Sequence, residues 1–342
     1  MTQINQNRSP IGRVLRWLIP LGISLGAIWL VLRHIRFSDI LANLSKLNFN
    51  IFLLATLAYL ISYAFRALSW YFLLKRRVSY IDVFFTMGAG YLLNNLFPFR
   101  LGEIGRAVLL DDPQGPSALE VLSSVLVERV FDVFMAAVFI LTMLPRLLDV
   151  NFDQTLILLG LFLASGGLVI LYLAARFQVR ISNWFRRWGE NNQFINSWLA
   201  PKITKILSGL SVLNNPVMFL LAFGSLALSW LIAFGENYIV FQSLFPNPPF
   251  WWMIFVLSAG AFGAALPSAP AGLGVFEGVM VAAFGLLGVE ADLAFTHAII
   301  IHVLAFVYAN LFGLIGLRLR GEAAVGLFQR VIQRPPDIET TE

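Results

Sequence analysis

The polar residues best suited to chemistry lie in a broken apolar segment, residues 90–110, with the sequence GYLLNNLFPFRLGEIGRAVLL. Its polar side chains are two amides, two guanidinium groups and a carboxylate, namely Asn94, Asn95, Arg100, Arg106 and Glu103. A guanidinium binds phosphate through parallel N–H groups, and a helix beginning near Gly102 would point its N-terminal amides to the same place. Because Pro98 breaks the segment there, the pattern predicts an anion site with Arg100 as a phosphate ligand. The alternative is that Arg100 and Arg106 only anchor at the headgroup layer.

A second broken segment, 260–285, has the sequence GAFGAALPSAPAGLGVFEGVMVAAFG and occupies a matching place in the other half of the chain. Its polar side chains are Ser268 and Glu277, and its helix-breaking residues are Pro267, Pro270, Gly272 and Gly274. In membrane proteins, interrupted apolar segments at corresponding places in two halves indicate a transport site. Close helix packing alone also explains the glycines, but it explains Glu277 less well.

Further ionisable residues lie inside apolar segments, where a charge is costly and therefore indicates function. They are Arg66, Glu128, Arg129, Asp132 and Glu236. The spacing of Glu128, Arg129 and Asp132 places all three on a shared helical face. Arg66 and Glu236 are about 170 residues apart, which is also the separation of the two broken segments, and they carry opposite charges. The alternative is that these groups neutralise one another, with Arg129 paired to Glu128 or Asp132.

The composition is that of a membrane protein. Hydrophobic residues make up 58% of the chain and charged residues 13%, with a mean hydropathy of +0.78, whereas soluble domains contain about 25% charged residues. About 20 helical residues cross a hydrocarbon core of about 30 Å. Runs of about this length occur at 15–32, 51–74, 121–144, 155–175, 217–241 and 292–317. They predict a helix bundle as the core.

Several classes of function are excluded. The chain has no cysteine, so disulfides and thiolate metal sites are ruled out. The net charge of +5 does not indicate nucleic acid, because the basic residues lie at helix ends. His297 and His302 are placed on different sides of a helix, so no metal site is expected. The sequence contains neither a phosphate-binding Gly-Lys loop nor a serine nucleophile motif. We therefore expect no cofactor and no enzyme.

Basic residues also predict the topology. With a cytoplasmic N-terminus, and with the first broken segment returning to the side it entered, residues 75–77, 176–205 and 318–320 all fall inside. That agrees with the positive-inside rule and places both termini in the cytoplasm. A single net crossing by the first segment would instead put 176–205 outside. The pieces 83–97 and 101–110 are too short to be two spans, so we favour a re-entrant hairpin.

The predicted fold is an all-α, polytopic membrane helix bundle that forms one domain over residues 1–342. Two re-entrant, Pro/Gly-broken hairpins lie in an inverted repeat, an arrangement found in many secondary transporters. The first repeat spans 51–144 with its hairpin at 83–110, and the second spans 217–317 with its hairpin at 253–288. Between them, 176–213 is predicted to be an amphipathic cytoplasmic linker that lies on the inner leaflet or packs in the ordinary way. The tail, 334–342, is predicted to be disordered.

Three motifs resemble one known family. NNLFPFRLGEIGRAVLL, VLVERVFDV and PSAPAGLGVFEG occur in this order, and they resemble the lysylphosphatidylglycerol synthase transmembrane-region family, also called flippase-like or uncharacterised protein family 0104. The resemblance covers most of the chain. It carries over these positions as site residues: Asn94, Asn95, Pro98, Arg100, Gly102, Glu103, Arg106, Glu128, Arg129, Asp132, Pro270, Gly272, Gly274 and Glu277.

The resemblance implies a flippase. The best-studied relatives move aminoacylated phosphatidylglycerol between leaflets, and others are associated with hopanoid, polyprenyl or glycolipid pathways. Some carry a soluble aminoacyl-transfer domain, but only a short tail follows Arg320, so synthase activity is not expected. The expected substrate is a membrane lipid, the expected location is a bacterial inner membrane, and a homodimer or a lipid-biosynthetic partner enzyme would fit. The alternatives are an intramembrane lipid-modifying transferase, with Glu103 or Asp132 as general base, and a non-catalytic partner of such an enzyme.

Overall fold

The computed structural model describes residues 22, 24–29, 33, 37–45, 47–97, 101–148, 154–189, 192, 194–263 and 269–333. Over these residues the chain is helical and contains no strand, which confirms the all-α prediction. The α-helices are α1 (Phe37–Leu44), α2 (Phe49–Leu73), α3 (Tyr80–Leu96), α4 (Leu101–Leu110), α5 (Ala118–Leu148), α6 (Gln154–Arg176), α7 (Gln178–Gly189), α8 (Ala200–Leu210), α9 (Pro216–Leu244), α10 (Phe250–Gly263), α11 (Val275–Leu286), α12 (Ala291–Leu319) and α13 (Ala324–Gln333). The predicted disordered tail, 334–342, lies outside the described residues.

Four helices, α2, α6, α9 and α12, are long and apolar enough to cross a membrane. Each coincides with a predicted apolar run. Helix α5 has 31 residues, about 46 Å at 1.5 Å per residue, but it carries Glu128, Arg129 and Asp132 in its first half. The predicted run 15–32 lies mostly outside the described residues. The lengths and composition of these helices support an integral membrane protein.

Polar residues beside the apolar runs determine where helices begin. Asn48 Oδ1 accepts a hydrogen bond from the Ile51 N–H at 2.9 Å at the start of α2. Asn215 Oδ1 accepts one from the Val217 N–H at 3.1 Å at the start of α9. Such caps satisfy N–H groups that have no partner within the helix. Helices α2 and α9, which pack against each other, therefore begin with the same kind of cap.

Helices α3 and α4 form the first hairpin, and their backbones are in direct contact. A Cβ atom on Gly102 would lie 1.8 Å from the Gly90 carbonyl oxygen, so a larger residue does not fit without separating the helices. Asn94 Oδ1 accepts a hydrogen bond from the Gly102 N–H at 2.8 Å and caps the start of α4. The two helices occupy 80–110, three residues more than the predicted 83–110.

Helices α10 and α11 form the second hairpin. Before α11, the backbone has positive φ at Ala271 (61°), Gly272 (76°) and Gly274 (82°). Glycine adopts this conformation without strain, whereas alanine does so at a cost. The glycines of the LPSAPAGLG stretch therefore serve a turn as well as helix packing. The helices begin at Phe250 and end at Leu286, close to the predicted limits of 253 and 288.

The helices exchange partners between the two halves of the chain. Helix α2 packs against α9, α3 against α12, and α10 against α5. Between α3 and α12, a Cβ atom on Gly88 would lie 2.8 Å from the Gly313 backbone nitrogen, so these helices also meet backbone to backbone. Between α2 and α9, Ser62 Oγ donates to the Ser229 carbonyl oxygen at 2.9 Å. Each half thus completes its core with helices of the other.

Polar contacts gather several helix ends at one end of the bundle. The Arg320 guanidinium donates to the Leu109 carbonyl oxygen at 2.7 Å and to Asp82 at 3.1 Å. Lys75 Nζ donates to the Ser208 carbonyl oxygen at 2.7 Å. The start of α3, the end of α4 and the ends of α2, α8 and α12 therefore lie at the same end.

The predicted amphipathic linker, 176–213, divides into two parts. Helix α7 leaves Trp184 and Trp188 more than half exposed, at 57% and 59%, and carries Arg186 and Arg187 in its last turn. Helix α8 instead packs against α5. Helix α7 therefore presents an exposed aromatic and basic surface, and Phe194 and Trp198, just before α8, are exposed as well.

Candidate substrate cavity

A cavity of about 730 Å³ lies among helices of both halves. Residues of α2, α3, α5, α9, α10, α11 and α12 and of the turn before α11 form its wall. One part of the wall is charged, and the rest is mainly aromatic and aliphatic. The volume lies in the range of about 300–1,000 Å³ that small-molecule sites occupy.

Arg66 of α2 joins two carboxylates of α5. Its guanidinium lies 3.0 Å from Glu128 Oε1 and contacts both oxygens of Asp132, at 2.8 and 2.9 Å. Asp132 Oδ1 also accepts a hydrogen bond from Trp230 Nε1 at 3.1 Å. The paired arrangement with Asp132 is bidentate, the geometry in which a guanidinium–carboxylate interaction is strongest. It fixes the charged wall between α2, α5 and α9.

Arg106 lies behind this wall. Its guanidinium donates to Glu128 Oε2 at 2.9 Å, and the side chains of Arg106 and Glu128 are 1% and 0% exposed. The guanidinium also lies over the rings of Trp70 and Tyr91, 4.9 and 5.0 Å from their centroids, distances typical of cation–π contacts. Glu128 therefore bridges Arg66 and Arg106 in the protein interior.

Arg129 connects the first hairpin to α5. Its Nε donates to Glu103 Oε1 at 2.9 Å, and its Nη1 lies 3.6 Å from Asp132 Oδ2. Of the two partners that the neutralisation alternative offered for Arg129, Glu128 or Asp132, the structure gives an ion pair with Asp132. Its closer partner, Glu103, was not predicted. Because Glu103 lies in the first turn of α4, this pair holds the hairpin beside the cavity.

On the second hairpin, Glu277 has two partners. Its Oε2 accepts a hydrogen bond from the Gly274 N–H at 2.7 Å, which caps the first turn of α11. Its Oε1 is hydrogen-bonded to Nδ1 of His302 on α12. Nearby, the Ala269 N–H donates to Ser24 Oγ at 2.8 Å, so the N-terminal segment contacts this turn. Glu277 thus holds α11 against α12.

Glu236 of α9 differs from these carboxylates. It lines the cavity and is 4% exposed, and its Oε1 is buried without a hydrogen-bond partner among the described residues. The adjacent Asn237 is already engaged, because its Oδ1 lies 3.0 Å from Nε2 of the buried His297. Glu236 therefore faces the cavity without a countercharge.

Comparison with known proteins shows the family of this chain. The model of the family described as lysylphosphatidylglycerol synthase TM region matches residues 17–313. The chain belongs to this family. It is 24% identical over 241 residues to a UPF0104 membrane protein of Methanothermobacter thermautotrophicus, covering 65% of this chain and 69% of that one. A UPF0104 membrane protein of Pyrococcus horikoshii is 24% identical over 301 residues, which cover 78% of this chain and 86% of that one. No solved structure matches significantly.

In this member of the lysylphosphatidylglycerol synthase TM-region family, the predicted site residues fall into three groups. On the cavity wall lie Arg66, Asn94, Asn95, Arg129, Asp132, Glu236 and Gly272. Away from the wall lie Gly102, Glu103, Arg106, Glu128, Pro270, Gly274 and Glu277. Outside the described residues lie Pro98, Arg100, Pro267 and Ser268. The ion-paired part of the wall is thus built by Arg66, Arg129 and Asp132, and the helix-breaking residues Gly102, Pro270 and Gly274 lie away from the wall.

Sequence reasoning missed several wall residues of this family member. Tyr59, Tyr63 and Tyr91 line the cavity, but tyrosines in apolar helices carry no distinctive pattern. His302 also lines the cavity, and its spacing from Glu277 could have identified it. Glu277 and His302 are 25 residues apart, close to the 26 that separate Glu103 and Arg129. Sequence reasoning considers this histidine only as a metal ligand. The described residues contain no cluster of three metal-ligating side chains.

Proposed function

We propose that this protein is an ATP-independent lipid flippase and not an enzyme. It moves a phospholipid or a lipid-linked headgroup, such as an aminoacylated phosphatidylglycerol or an isoprenoid lipid, between the leaflets of the plasma membrane. The observation that carries the proposal is the cavity. It combines a charged wall with room for a headgroup and lies between two hairpins on apolar helices.

The charges of the wall suit a phosphate-bearing headgroup. Arg129 is 32% exposed at its side chain, and its ion pairs use the Nε and Nη1 groups. A guanidinium has five N–H donors, so the Nη2 donors are available to a phosphate oxygen. Asn94 and Asn95 stand on the same wall and add amide groups. The aromatic and aliphatic part of the wall suits the first atoms of the lipid tail.

Paired residues in α2 and α9 support the inverted repeat. Ser62 and Ser229, which contact each other, are 167 residues apart, and the capping residues Asn48 and Asn215 have the same separation. Two equivalent residues of antiparallel helices meet where a two-fold axis passes between them. If residues 167 apart are equivalent in the two repeats, Arg66 corresponds to Ala233, one turn before Glu236. The separation of about 170 taken from the broken segments had instead paired Arg66 with Glu236.

The hairpins support the same symmetry. The contact of α3 with α12 corresponds to that of α10 with α5. In addition, each hairpin carries a carboxylate in the first turn of its second helix, bonded to a basic side chain of the following long helix. The two pairs are Glu103 with Arg129 and Glu277 with His302. An inverted repeat with paired broken elements is the architecture of many transporters that work by alternating access.

Helix lengths and end contacts support re-entrant hairpins. The first hairpin has helices of 17 and 10 residues and the second has helices of 14 and 12, or about 15–26 Å at 1.5 Å per residue. A hydrocarbon core is about 30 Å thick. Arg320 contacts both ends of the first hairpin, at Asp82 and Leu109. The contact of Lys75 with Ser208 adds a basic residue to this end, which the positive-inside rule assigns to the cytoplasm.

A reconstitution assay tests the function. Purified full-length protein in liposomes that contain a fluorescent phospholipid is expected to expose inner-leaflet lipid to a membrane-impermeant quencher faster than protein-free liposomes. Arg129→Ala should slow this exchange about tenfold or more, the effect of losing roughly 1.4 kcal/mol of binding. Arg146→Ala, which removes an exposed arginine near the other end of α5, should leave it unchanged. Absence of exchange for anionic, zwitterionic and aminoacylated lipids alike would contradict the proposal.

One observation favours a second candidate. A general base must be free to accept a proton, and Glu236 lacks a countercharge on the cavity wall. A lipid-modifying transferase would therefore use Glu236 instead of the ion-paired Glu103 or Asp132. Mass spectrometry of liposomes that contain a second lipid class as group donor separates the two functions, because a transferase moves a group from donor to acceptor lipid and changes both masses, whereas a flippase leaves all masses unchanged.

A further inference from the structure

The charges next to the cavity form a balanced set on one side. Three guanidinium groups and three carboxylates are joined by contacts of 2.8–3.6 Å. They are Arg66, Arg106 and Arg129, with Glu103, Glu128 and Asp132. On the second hairpin, Glu277 and His302 bond to each other. The charges of these side chains are therefore balanced before any ligand enters.

Glu236 is the exception on this wall. It belongs to α9 and is 4% exposed. Its Oε1 has no hydrogen-bond partner among the residues that the structure covers. An ionised carboxylate in such a place is strongly disfavoured unless a positive charge accompanies it. An ionised Glu236 therefore needs one positive charge beside it.

A proton fits this place better than a metal ion. Hard cations require several oxygen ligands, and the described residues contain no group of three His, Cys, Asp or Glu side chains that could hold a metal ion. The hydroxyls of Ser62 and Tyr59 on the same wall donate to the Ser229 and Ala305 carbonyl oxygens. The cavity wall also includes apolar residues such as Phe276 and Ile301. A carboxylic acid needs no further ligand.

We infer that Glu236 is a proton-binding site on the cavity wall and that proton exchange there couples lipid movement to the transmembrane pH gradient. This inference rests on the proposed flippase function. The protonated side chain leaves the cavity without excess charge. The deprotonated one carries a negative charge that must be relieved by a proton from either side of the membrane. The direction of lipid movement then follows the gradient.

The other titratable groups on the same wall already have partners. They are Tyr59, Tyr63 and Arg66 from α2, Tyr91 from α3, Arg129 and Asp132 from α5, and His302 from α12. Helix α10, which also packs against α9, has no titratable residue in its sequence. The arginines and Asp132 form ion pairs, His302 bonds to Glu277, and the hydroxyls of Tyr59 and Tyr63 donate to backbone carbonyls. The ring of Tyr91 lies against Arg106.

Two measurements test the inference. The first is infrared difference spectroscopy of the purified full chain across a pH titration, which detects the carbonyl stretch of a protonated carboxylic acid without requiring transport. We expect a band in the wild type that is lost in Glu236→Gln. The matched control is Glu290→Gln, an exposed carboxylate before α12 whose side chain makes no cap, and it should keep the band.

The second measurement is lipid distribution in proteoliposomes with a pH gradient. If one proton accompanies each lipid, the leaflet ratio of the fluorescent lipid should change by up to about tenfold per pH unit. Glu236→Gln should exchange lipid without responding to the gradient, and Glu236→Asp should keep a response if the glutamine variant does not fold.

The outcomes separate the inference from the proposed function. Lipid exchange without the infrared band overturns the proton site, and lipid exchange without any effect of the gradient in the wild type overturns the coupling; both results leave the flippase standing. The band without lipid exchange supports proton binding at Glu236 but overturns both the coupling and the flippase. The band together with a gradient response that Glu236→Gln abolishes supports both.

Discussion

The first hairpin is held to α5 by a guanidinium–carboxylate pair, Arg129 with Glu103, whereas the second is held to α12 by an imidazole–carboxylate pair, His302 with Glu277. A guanidinium has five N–H donors and can bond several acceptors, whereas an imidazole has one nitrogen on each side of its ring. The first pair continues through Asp132 into the larger network. Among the described residues, the second pair extends only to the cap of α11. The same position in two halves thus carries an attachment joined to a network in one and an isolated attachment in the other.

The terminal segments repeat this contrast. Helix α13 supports the first hairpin, with Phe328 stacked on Phe97 at 3.8 Å between ring centroids and Leu327 fully buried. The second hairpin is instead contacted by the N-terminal segment, through Ser24 and Ala269. The amphipathic helix α13 supports the first hairpin with an aromatic stack and a buried leucine. At the second, the N-terminal segment contributes a hydrogen bond and the close approach of Ser24 and Ile28 to Gly274. We therefore expect the second hairpin to move more easily.

The largest expected effect comes from locking either hairpin. The chain has no cysteine, so Glu103→Cys with Arg129→Cys, or Glu277→Cys with His302→Cys, can be joined by a short bifunctional thiol reagent. If both hairpins move during transport, each link should reduce lipid exchange at least tenfold relative to the same double variant without the reagent. That comparison is the matched control, because Arg129→Cys by itself removes a proposed phosphate ligand. A linked second hairpin with full exchange would show that the difference between the hairpins has no part in transport.

Loss of the buried bridge in the first half should have the next largest effect. Glu128→Gln leaves Arg66 and Arg106 sharing a neutral amide at a fully buried position. Breaking a buried ion pair costs about 3–5 kcal/mol, so the thermal unfolding midpoint in detergent should fall markedly. Glu322→Gln, which breaks the largely exposed pair with Arg330, should cost less than about 1 kcal/mol. Equal effects would mean that the buried network adds no stability.

How far the sequence predicts this molecule depends on the range of the interaction. The long helices follow from apolar runs, and their starts follow from local caps such as Asn48 and Asn215. The hairpins follow from Pro and Gly, with helix limits within about three residues of those observed. These features are local, because each is determined by residues within a few positions along the chain.

The partners in the site were less predictable for the same reason. Arg66 and Glu128 are 62 residues apart, and Asn237 and His297 are 60 apart. Such pairs depend on which helices pack together, and no local sequence pattern predicts that packing. Their charges within apolar segments identified Arg66, Arg129, Asp132 and Glu236 as candidates. The sequence did not indicate that Glu236 would be the one without an ion pair. Only the packed bundle distinguishes the unpaired carboxylate from the paired ones.

A glycine in each hairpin gives a smaller and more specific comparison. A Cβ atom on Gly102 would lie 1.8 Å from the Gly90 carbonyl oxygen, whereas one on Gly285 of the second hairpin meets nothing within 4 Å. Gly102→Ala must separate α3 from α4, and overpacking of this kind costs about 1–3 kcal/mol or more. Gly285→Ala should be neutral or slightly stabilising, because alanine favours the helix by up to about 1 kcal/mol. Thermal unfolding of both variants in one detergent measures the difference.

The smallest expected effect is at the contact between the N-terminal segment and the second hairpin. Ser24→Ala removes the acceptor of the Ala269 N–H, and a neutral hydrogen bond contributes about 0.5–1.5 kcal/mol. Global stability should therefore fall only slightly. If the second hairpin is the more mobile one, hydrogen exchange should still accelerate over residues 269–274 and not over the first hairpin. Ser38→Ala, which removes an exposed side-chain contact with Asp39, is the control. Equal acceleration of exchange in both hairpins would mean that their motions are coupled, and the contrast between a firm first hairpin and a loose second one would no longer hold.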